Sequence, residues 1–185
     1  MNCEKNDCKA TKVSMNFIAE HIKKVALMLD TGSVSALIDS IMGAKRIFLM
    51  GAGRSGLAAK AFAMRLMHMG FQVHVVGETT APAVQPDDLV IAVSGSGETT
   101  SIANLGTISK KIGSKLASIT SNKDSTLGKI SDIVVIIPGG QTQVAPLGTL
   151  FEISALVFLD SVISELMVRT GASEADLKMK HSVFD

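Results

Sequence analysis

At 185 residues the chain is most simply one domain, long enough to bury a sizeable core without disulfide or metal staples. Hydrophobic residues make up 46% of it and aromatic residues 4%, with no Trp or Tyr, so Ala, Val, Ile, Leu and Met must fill that core. A net charge of +1 gives no electrostatic case for nucleic acid or an anionic membrane as partner, and no run approaches the ~18 apolar residues of a membrane span.

Residues 1–12 carry Glu4, Lys5, Asp7 and Lys9 and lack the apolar centre of a signal peptide. They read as a flexible leader ahead of one domain, 13–185. Cys3 and Cys8 have neither a second cysteine pair nor a nearby histidine, so they read as free thiols of a cytoplasmic protein rather than a metal site. Ile18, Ile22, Val25 and Leu29 then recur at helical spacing, with Gly32 as the expected stop. A second helix is expected from Ser33 as N-cap to Gly43, with Val34, Leu37, Ile38 and Ile41 on one face. His21, on the first helix, reads as a surface histidine.

Ile47 to Met50 is a short apolar run of the kind that a strand buried on both faces shows. It leads into Gly51-x-Gly53-x-x-Gly56 and at once into helix-forming sequence that stops at Gly70. Further strands are expected at Phe71–Val76, Leu89–Val93, Lys115–Thr120 and Ile133–Ile137, with a helical turn capped by Ser125 before the last. Pro146-Leu-Gly opens a long final helix, Thr149 to about Thr170, followed by a turn or two in the tail. Strands alternating with helices argue an α/β fold whose parallel sheet is covered on both faces. The third strand repeats the design of the first, running into a glycine-rich turn and a helix. Two such turns place a ligand cleft where neighbouring crossovers diverge.

The most specific local signal is Ser94-Gly-Ser-Gly-Glu-Thr99. Three hydroxyls interleaved with two glycines at a helix start offer side-chain donors, bare N–H groups and a positive helix end to one anion, as a phosphate requires. A cap and turn explain one such hydroxyl but not three. Glu98 within the loop suits a helix N-terminus. In the first glycine loop, Arg54 and Ser55 are polar candidates, and GxGxxG there also fits a dinucleotide site. Glu78 falls near the ~20-residue spacing at which an acid holds a ribose, and it reads equally as a surface turn residue. The chain is too short to add a catalytic domain to a nucleotide domain, and a nucleotide would leave the hydroxyl loop without a task. Glu152 continues the apolar seam Leu156, Leu159, Ile163, Leu166 toward the helix start, which makes its carboxylate either buried or set at the mouth of a cleft. Thr149-x-x-Glu152 is also a capping box, and both readings stand. His68 and His74 read as structural, and His181, in a charged tail, as solvent-exposed on its own terms.

Taken together, these residues resemble the sugar isomerase (SIS) domain family and, within it, the 6-phospho-3-hexuloisomerase branch. The hydroxyl loop and Gly51-Ala-Gly-Arg-Ser-Gly56 carry the wider likeness, with Val76-Gly-Glu-Thr-Thr80 and Ser125-Thr-Leu-Gly-Lys-Ile-Ser-Asp132. Arg65-Leu-Met-His68 and Pro146-Leu-Gly-Thr-Leu-Phe-Glu152 point to the branch. The resemblance runs from about Ala44 to the C-terminus. It implies a five-stranded parallel sheet sandwiched between helices in flavodoxin-like order, assembled as a homotetramer. It also implies interconversion of D-arabino-3-hexulose 6-phosphate and fructose 6-phosphate in the ribulose monophosphate route of formaldehyde fixation, with no metal or nucleotide cofactor. By the same resemblance Ser94, Ser96 and Thr99 hold the phosphate with the Gly95 and Gly97 backbone, and Ser55 touches the sugar. Glu152 is then the general base, and His181 a second acid/base or ring-opening group reaching into a neighbour's cleft. Glu98 stands where some relatives carry a basic residue. The competing classes are a non-catalytic sugar-phosphate-binding module and a nucleotide-dependent enzyme.

Overall fold

The computed structural model describes residues 8–181. In chain order the elements are α1 (Lys9–Met28), α2 (Thr31–Gly43), β1 (Ile47–Gly51), α3 (Gly53–Met69), β2 (Val73–Val75), β3 (Leu89–Val93) and α4 (Thr100–Ile112). They continue as β4 (Lys115–Thr120), α5 (Thr126–Ile130), β5 (Ile133–Ile136), α6 (Thr149–Thr170) and α7 (Glu174–Met179). The five strands form one parallel sheet in the order β2-β1-β3-β4-β5, the flavodoxin-like order that the family resemblance implies.

The side-chain alternation of each strand divides the core into two layers. Ile47 and Leu49 of β1, Leu89, Ile91 and Val93 of β3, and Ala117 and Ile119 of β4 pack with α2, α3 and α6. Phe48, Met50, Val90, Ala92 and Leu116, one residue out of phase, pack with Ile102 of α4 and Leu127 of α5. At the amino edge of the sheet Arg46 clamps β1 to β3, donating from Nε and Nη2 to Asp88 at 2.9 and 2.6 Å, with Asp88 only 1% exposed. Burial pushes the Asp88 carboxyl up, but the bonds from Arg46 and the Gln85 N–H, with the nearby Arg46 and Lys45 charges, outweigh it and hold it below the usual carboxylate range.

Several boundaries differ from expectation for identifiable reasons. Helix α1 already begins at Lys9, inside the expected leader, while Cys3 lies outside the described residues; Cys8 is exposed and free. That helix ends at Met28, and Gly32 lies within the first turn of α2 instead of stopping α1. The N-cap of α2 is Asp30, not Ser33: its carboxylate accepts the Ser33 N–H at 2.8 Å, so the helix starts earlier. Strand β2 shrinks to three residues because it lies at the sheet edge and pairs only with β1. Among the described residues no single helix is long and apolar enough to cross a membrane.

Candidate active site

Parallel strands put the loops that follow β1 and β3 side by side at the carboxyl edge of the sheet, where α3 leaves for one face and α4 for the other. In the first loop Gly51 and Gly56 are required by close approach. A Cβ on Gly56 would lie 2.6 Å from the Gly51 carbonyl oxygen, and one on Gly51 would lie 2.9 Å from the Gly56 nitrogen. That contact lets α3 start directly over the strand end, with Arg54 exposed and Ser55 buried in its first turn.

The second loop is tied down more heavily. The Gly95 carbonyl accepts from the Ser121 N–H at 2.9 Å, the Ser121 hydroxyl at 2.6 Å and the Thr120 hydroxyl at 3.2 Å. Because the peptide unit is planar and trans, the Ser96 N–H then points away from β4. Ser94, buried, donates to Thr99 Oγ1 at 3.3 Å, and Ser96 Oγ accepts the Glu98 N–H at 3.1 Å. Gly97 turns left-handed at φ 67°, and its carbonyl accepts the Leu127 N–H at 3.1 Å. Glu98 turns away from this loop. Its carboxylate accepts the Thr126 N–H at 2.8 Å and the Thr126 hydroxyl at 2.7 Å, bonds that hold it below its usual range. The negative charge expected beside an anion is thus spent on the start of α5.

The third component comes from α6. Phe151 lies against the backbone of Gly95, where a Cβ would meet its ring at 2.9 Å. The packing of Phe151 onto the hydroxyl loop brings the next residue, Glu152, to the same opening. Gly148, the N-cap of α6, leaves room for the carboxylate, since a Cβ there would lie 2.9 Å from Glu152 Oε1. No capping box forms: Thr149 is inside the helix and donates to the Pro146 carbonyl at 2.7 Å, so Glu152 is released for other contacts. Its Oε2 lies 3.0 Å from Arg54 Nη1, an ion pair without hydrogen-bond alignment, and Arg54 also donates to Thr149 Oγ1 at 3.3 Å. Leu156 is 38% exposed, so the stripe that Glu152 continues borders α3 rather than the buried seam of Leu159, Ile163 and Leu166.

Ser55, Gly95, Ser96, Gly148, Phe151 and Glu152 line one cleft of about 360 Å³, within the range of small-ligand sites. Ser94, Gly97 and Thr99 belong to the same loop as Gly95 and Ser96 but are not among the lining residues, and Arg54 is connected to the cleft only through its ion pair with Glu152. Ser121, Gly139, Gly140, Gln141 and Leu147 complete the wall and had not been singled out from the sequence. Their only signal was the glycine pair after Pro138; the rest depends on contacts from far along the chain.

Two expected residues stand apart. Glu78 pairs with Lys60 at 2.6 Å on the outer side of α3 and is absent from the cleft lining. His181 is exposed, its ring centroid 5.1 Å from that of His68, which is buried in the last turn of α3. Arg54 is in the first turn of that helix, about 20 Å away at 1.5 Å per residue, so His181 is remote from Glu152 within one chain. His74 is half-buried and stacks on Phe48 at 5.1 Å. Among the described residues no three His, Cys, Asp or Glu side chains converge in a metal-binding group.

A doubly wound sheet with a hydroxyl-rich loop and a carboxylate on one cleft, and an arginine paired to that carboxylate, has the form of a small-ligand site. Residues 40–159 match the family model of the SIS domain, and the chain belongs to that family. It is 44% identical over 179 residues, 92% of this chain and 98% of the relative, to an uncharacterised protein of Archaeoglobus fulgidus. It is also 38% identical over 177 residues, 90% of this chain and 96% of the relative, to the 3-hexulose-6-phosphate isomerase of Bacillus subtilis. A crystal structure from Methanococcus jannaschii, whose molecular function was inferred to be 3-hexulose-6-phosphate isomerase, superimposes with a TM-score of 0.84 at 36% identity, covering 91% of this chain and 97% of that one.

Proposed function

We propose that this chain is a sugar-phosphate isomerase that interconverts D-arabino-3-hexulose 6-phosphate and fructose 6-phosphate, as the second step of formaldehyde fixation through ribulose monophosphate. The observation that carries the reading is the shared cleft: a half-buried carboxylate, Glu152, opens onto the same space as the Ser94–Thr99 loop. The names of the relatives support the same substrate class.

The chemistry is internal to one molecule. The ketone at C3 becomes an alcohol while the alcohol at C2 becomes a ketone, so oxidation and reduction balance without a redox partner. With the phosphate on the Ser94, Ser96 and Thr99 hydroxyls and the Gly95–Gly97 backbone, the other end of the sugar reaches Glu152, and Ser55 contacts it along the way. Glu152 removes the C2 proton. The C–H electron pair forms the C2–C3 double bond of a cis-enediolate, and the carbonyl π pair moves to O3. The same carboxyl then returns that proton to C3 while the O2 proton passes to O3, so that the C2 ketone and the C3 alcohol form together. Arg54 is more than half exposed and touches Glu152 only as a charge, so it is free to follow the negative charge onto O3. His181 serves as a second acid/base or ring-opening group from a neighbouring copy, which makes the working form a homo-oligomer, a tetramer on this reading. Exposed Leu57 and Met64 on α3 and Val157 on α6 favour such an assembly.

Incubating the protein with fructose 6-phosphate in D2O tests the reaction directly. Deuterium is expected to enter at C3 with no metal or NAD(P) added. A protein that binds fructose 6-phosphate yet exchanges nothing at C3 is a binding module, and the proposal fails.

A further inference from the structure

Residues 138–148 connect β5 to α6 and supply Gly139, Gly140, Gln141, Leu147 and Gly148 to the cleft wall. The connection carries no regular secondary structure, and its internal ties are few. Thr142 and Ala145 exchange backbone bonds at 3.2 and 3.3 Å, and the Thr142 hydroxyl accepts the Ala145 N–H at 3.0 Å. Leu147 is 75% exposed at φ 55°, a left-handed conformation that a leucine adopts only when its surroundings impose it. The loop is also tied to the other end of the chain. Ser14, His21 and Val25 fall with Ile18 on the one stripe of α1 that turns inward. Two of these are polar, and both bond the loop: the Ser14 hydroxyl donates to the Val144 carbonyl at 2.6 Å, and His21 Nε2 lies 3.1 Å from the Pro138 carbonyl oxygen. Around the first of these bonds Ala10, Thr11, Ser14, Met15, Gln143 and Val144 line an open hollow of about 380 Å³.

We infer that α1 is a working part of the candidate site, with His21 and Ser14 as positioning residues that hold the 138–148 loop in place as the sugar-facing wall of the cleft. The polar side chain this wall presents is Gln141, whose amide both donates and accepts and so suits the hydroxyls of a phosphorylated open-chain sugar. A carbonyl only accepts, so His21 must donate from Nε2, as the neutral Nε2–H tautomer and the imidazolium both do. Loss of a wall held before substrate arrives removes binding common to ground and transition states, which raises KM and leaves kcat alone.

The inference rests on the proposed sugar-phosphate site, and its test is arranged to separate the two. His21→Phe keeps the ring and removes the donor; His21→Gln restores an N–H of similar reach; Ser14→Ala removes the second bond at the helix start. His21→Phe is expected to raise KM for fructose 6-phosphate about 3- to 10-fold, the value of one net hydrogen bond, with kcat within about twofold. His21→Gln should recover most of that loss, and Ser14→Ala should show a milder rise. Amide hydrogen exchange across residues 139–148, measured without substrate, should quicken in His21→Phe and Ser14→Ala and return toward wild type in His21→Gln. Wild-type KM and wild-type exchange in both His21→Phe and Ser14→Ala overturn the inference. An equal loss in His21→Gln and His21→Phe also overturns it, since shape rather than the bond would then matter. A wild-type protein inert toward fructose 6-phosphate defeats the proposed function, while the exchange measurement still decides whether α1 holds the loop.

Discussion

Gly97→Ala offers the sharpest test of how the hydroxyl loop is built. At φ 67° an alanine pays the left-handed penalty, about 1 kcal/mol, partly offset by the stiffer unfolded chain. The new methyl would also run into Ser125, 2.6 Å from its Cβ and in harder collision with its Oγ. Ser125 is fully buried and cannot yield cheaply, because its Oγ caps α5 by accepting the Gly128 N–H at 3.1 Å and donates to the Asn122 carbonyl at 2.7 Å. Losing that cap costs a further ~1 kcal/mol and the displaced neighbours at least as much, for a total of about 2–4 kcal/mol. Gly77→Ala is the internal control: φ is 94°, but nothing lies within 4 Å of the new methyl, so only the backbone penalty applies. For a domain of this size the control should lose about 2–4 °C in Tm and Gly97→Ala about 5–15 °C. Gly97→Ala alone should also weaken titration by fructose 6-phosphate. Thermal melts of the two variants side by side decide the matter. Equal shifts, or a Gly97→Ala protein that binds the sugar phosphate normally, would refute the reasoning.

Gly148→Ala should behave in the opposite sense, with little change in Tm and a loss of about 10- to 100-fold in kcat, because the methyl meets only the flexible Glu152 carboxylate, 2.9 Å away, and pushes it off position. At the amino edge of the sheet, Asp88→Ala should lower the denaturant midpoint, because Arg46 and the Gln85 N–H lose their shared acceptor. The folded-state pKa of Asp88 lies below its unfolded value. Its contribution is therefore complete above the ordinary carboxylate range near 4 and disappears as pH falls through the lower folded value, so Asp88→Asn should flatten the acid limb of the stability–pH curve. Truncation after Lys180 should lower turnover far more than Tm, and a fully active truncated protein would remove His181 from the site.

Much of this architecture is written locally. The runs Ile47–Met50 and Leu89–Val93 are apolar because both faces of those strands are covered, and each ends in the glycines that its turn demands. The hydroxyl loop is equally legible, since its hydroxyls and glycines are contiguous in sequence. Of the two positions open to Glu152 the structure gives the cleft, for a reason that periodicity does not carry: Phe151 packs on Gly95, a contact between residues 56 positions apart. The capping box suggested by Thr149 and Glu152 lost to Gly148 as N-cap, a matter of one residue in helix start. His21 looked like a surface residue because nothing near it in sequence indicates Pro138, 117 residues away. The wall at 138–148 was illegible for the same reason: irregular backbone has no period, and its shape is imposed by distant partners. His181 was visible only through resemblance, and one copy of the chain keeps it at the far end of α3 from Glu152.

On the proposed function, Glu152 moves the proton in a cleft that holds a hexulose phosphate. Conversion of enzymatically prepared D-arabino-3-hexulose 6-phosphate to fructose 6-phosphate, followed by a coupled assay on wild type and Glu152→Gln, tests it most directly. Wild type should turn over with no metal or NAD(P) added to its own reaction, and Glu152→Gln should lose about 100- to 10,000-fold in kcat, as expected for a missing general base, while still binding the sugar phosphate. Near-normal turnover by Glu152→Gln, or a wild-type protein that binds the substrate and leaves it unchanged, would contradict the account.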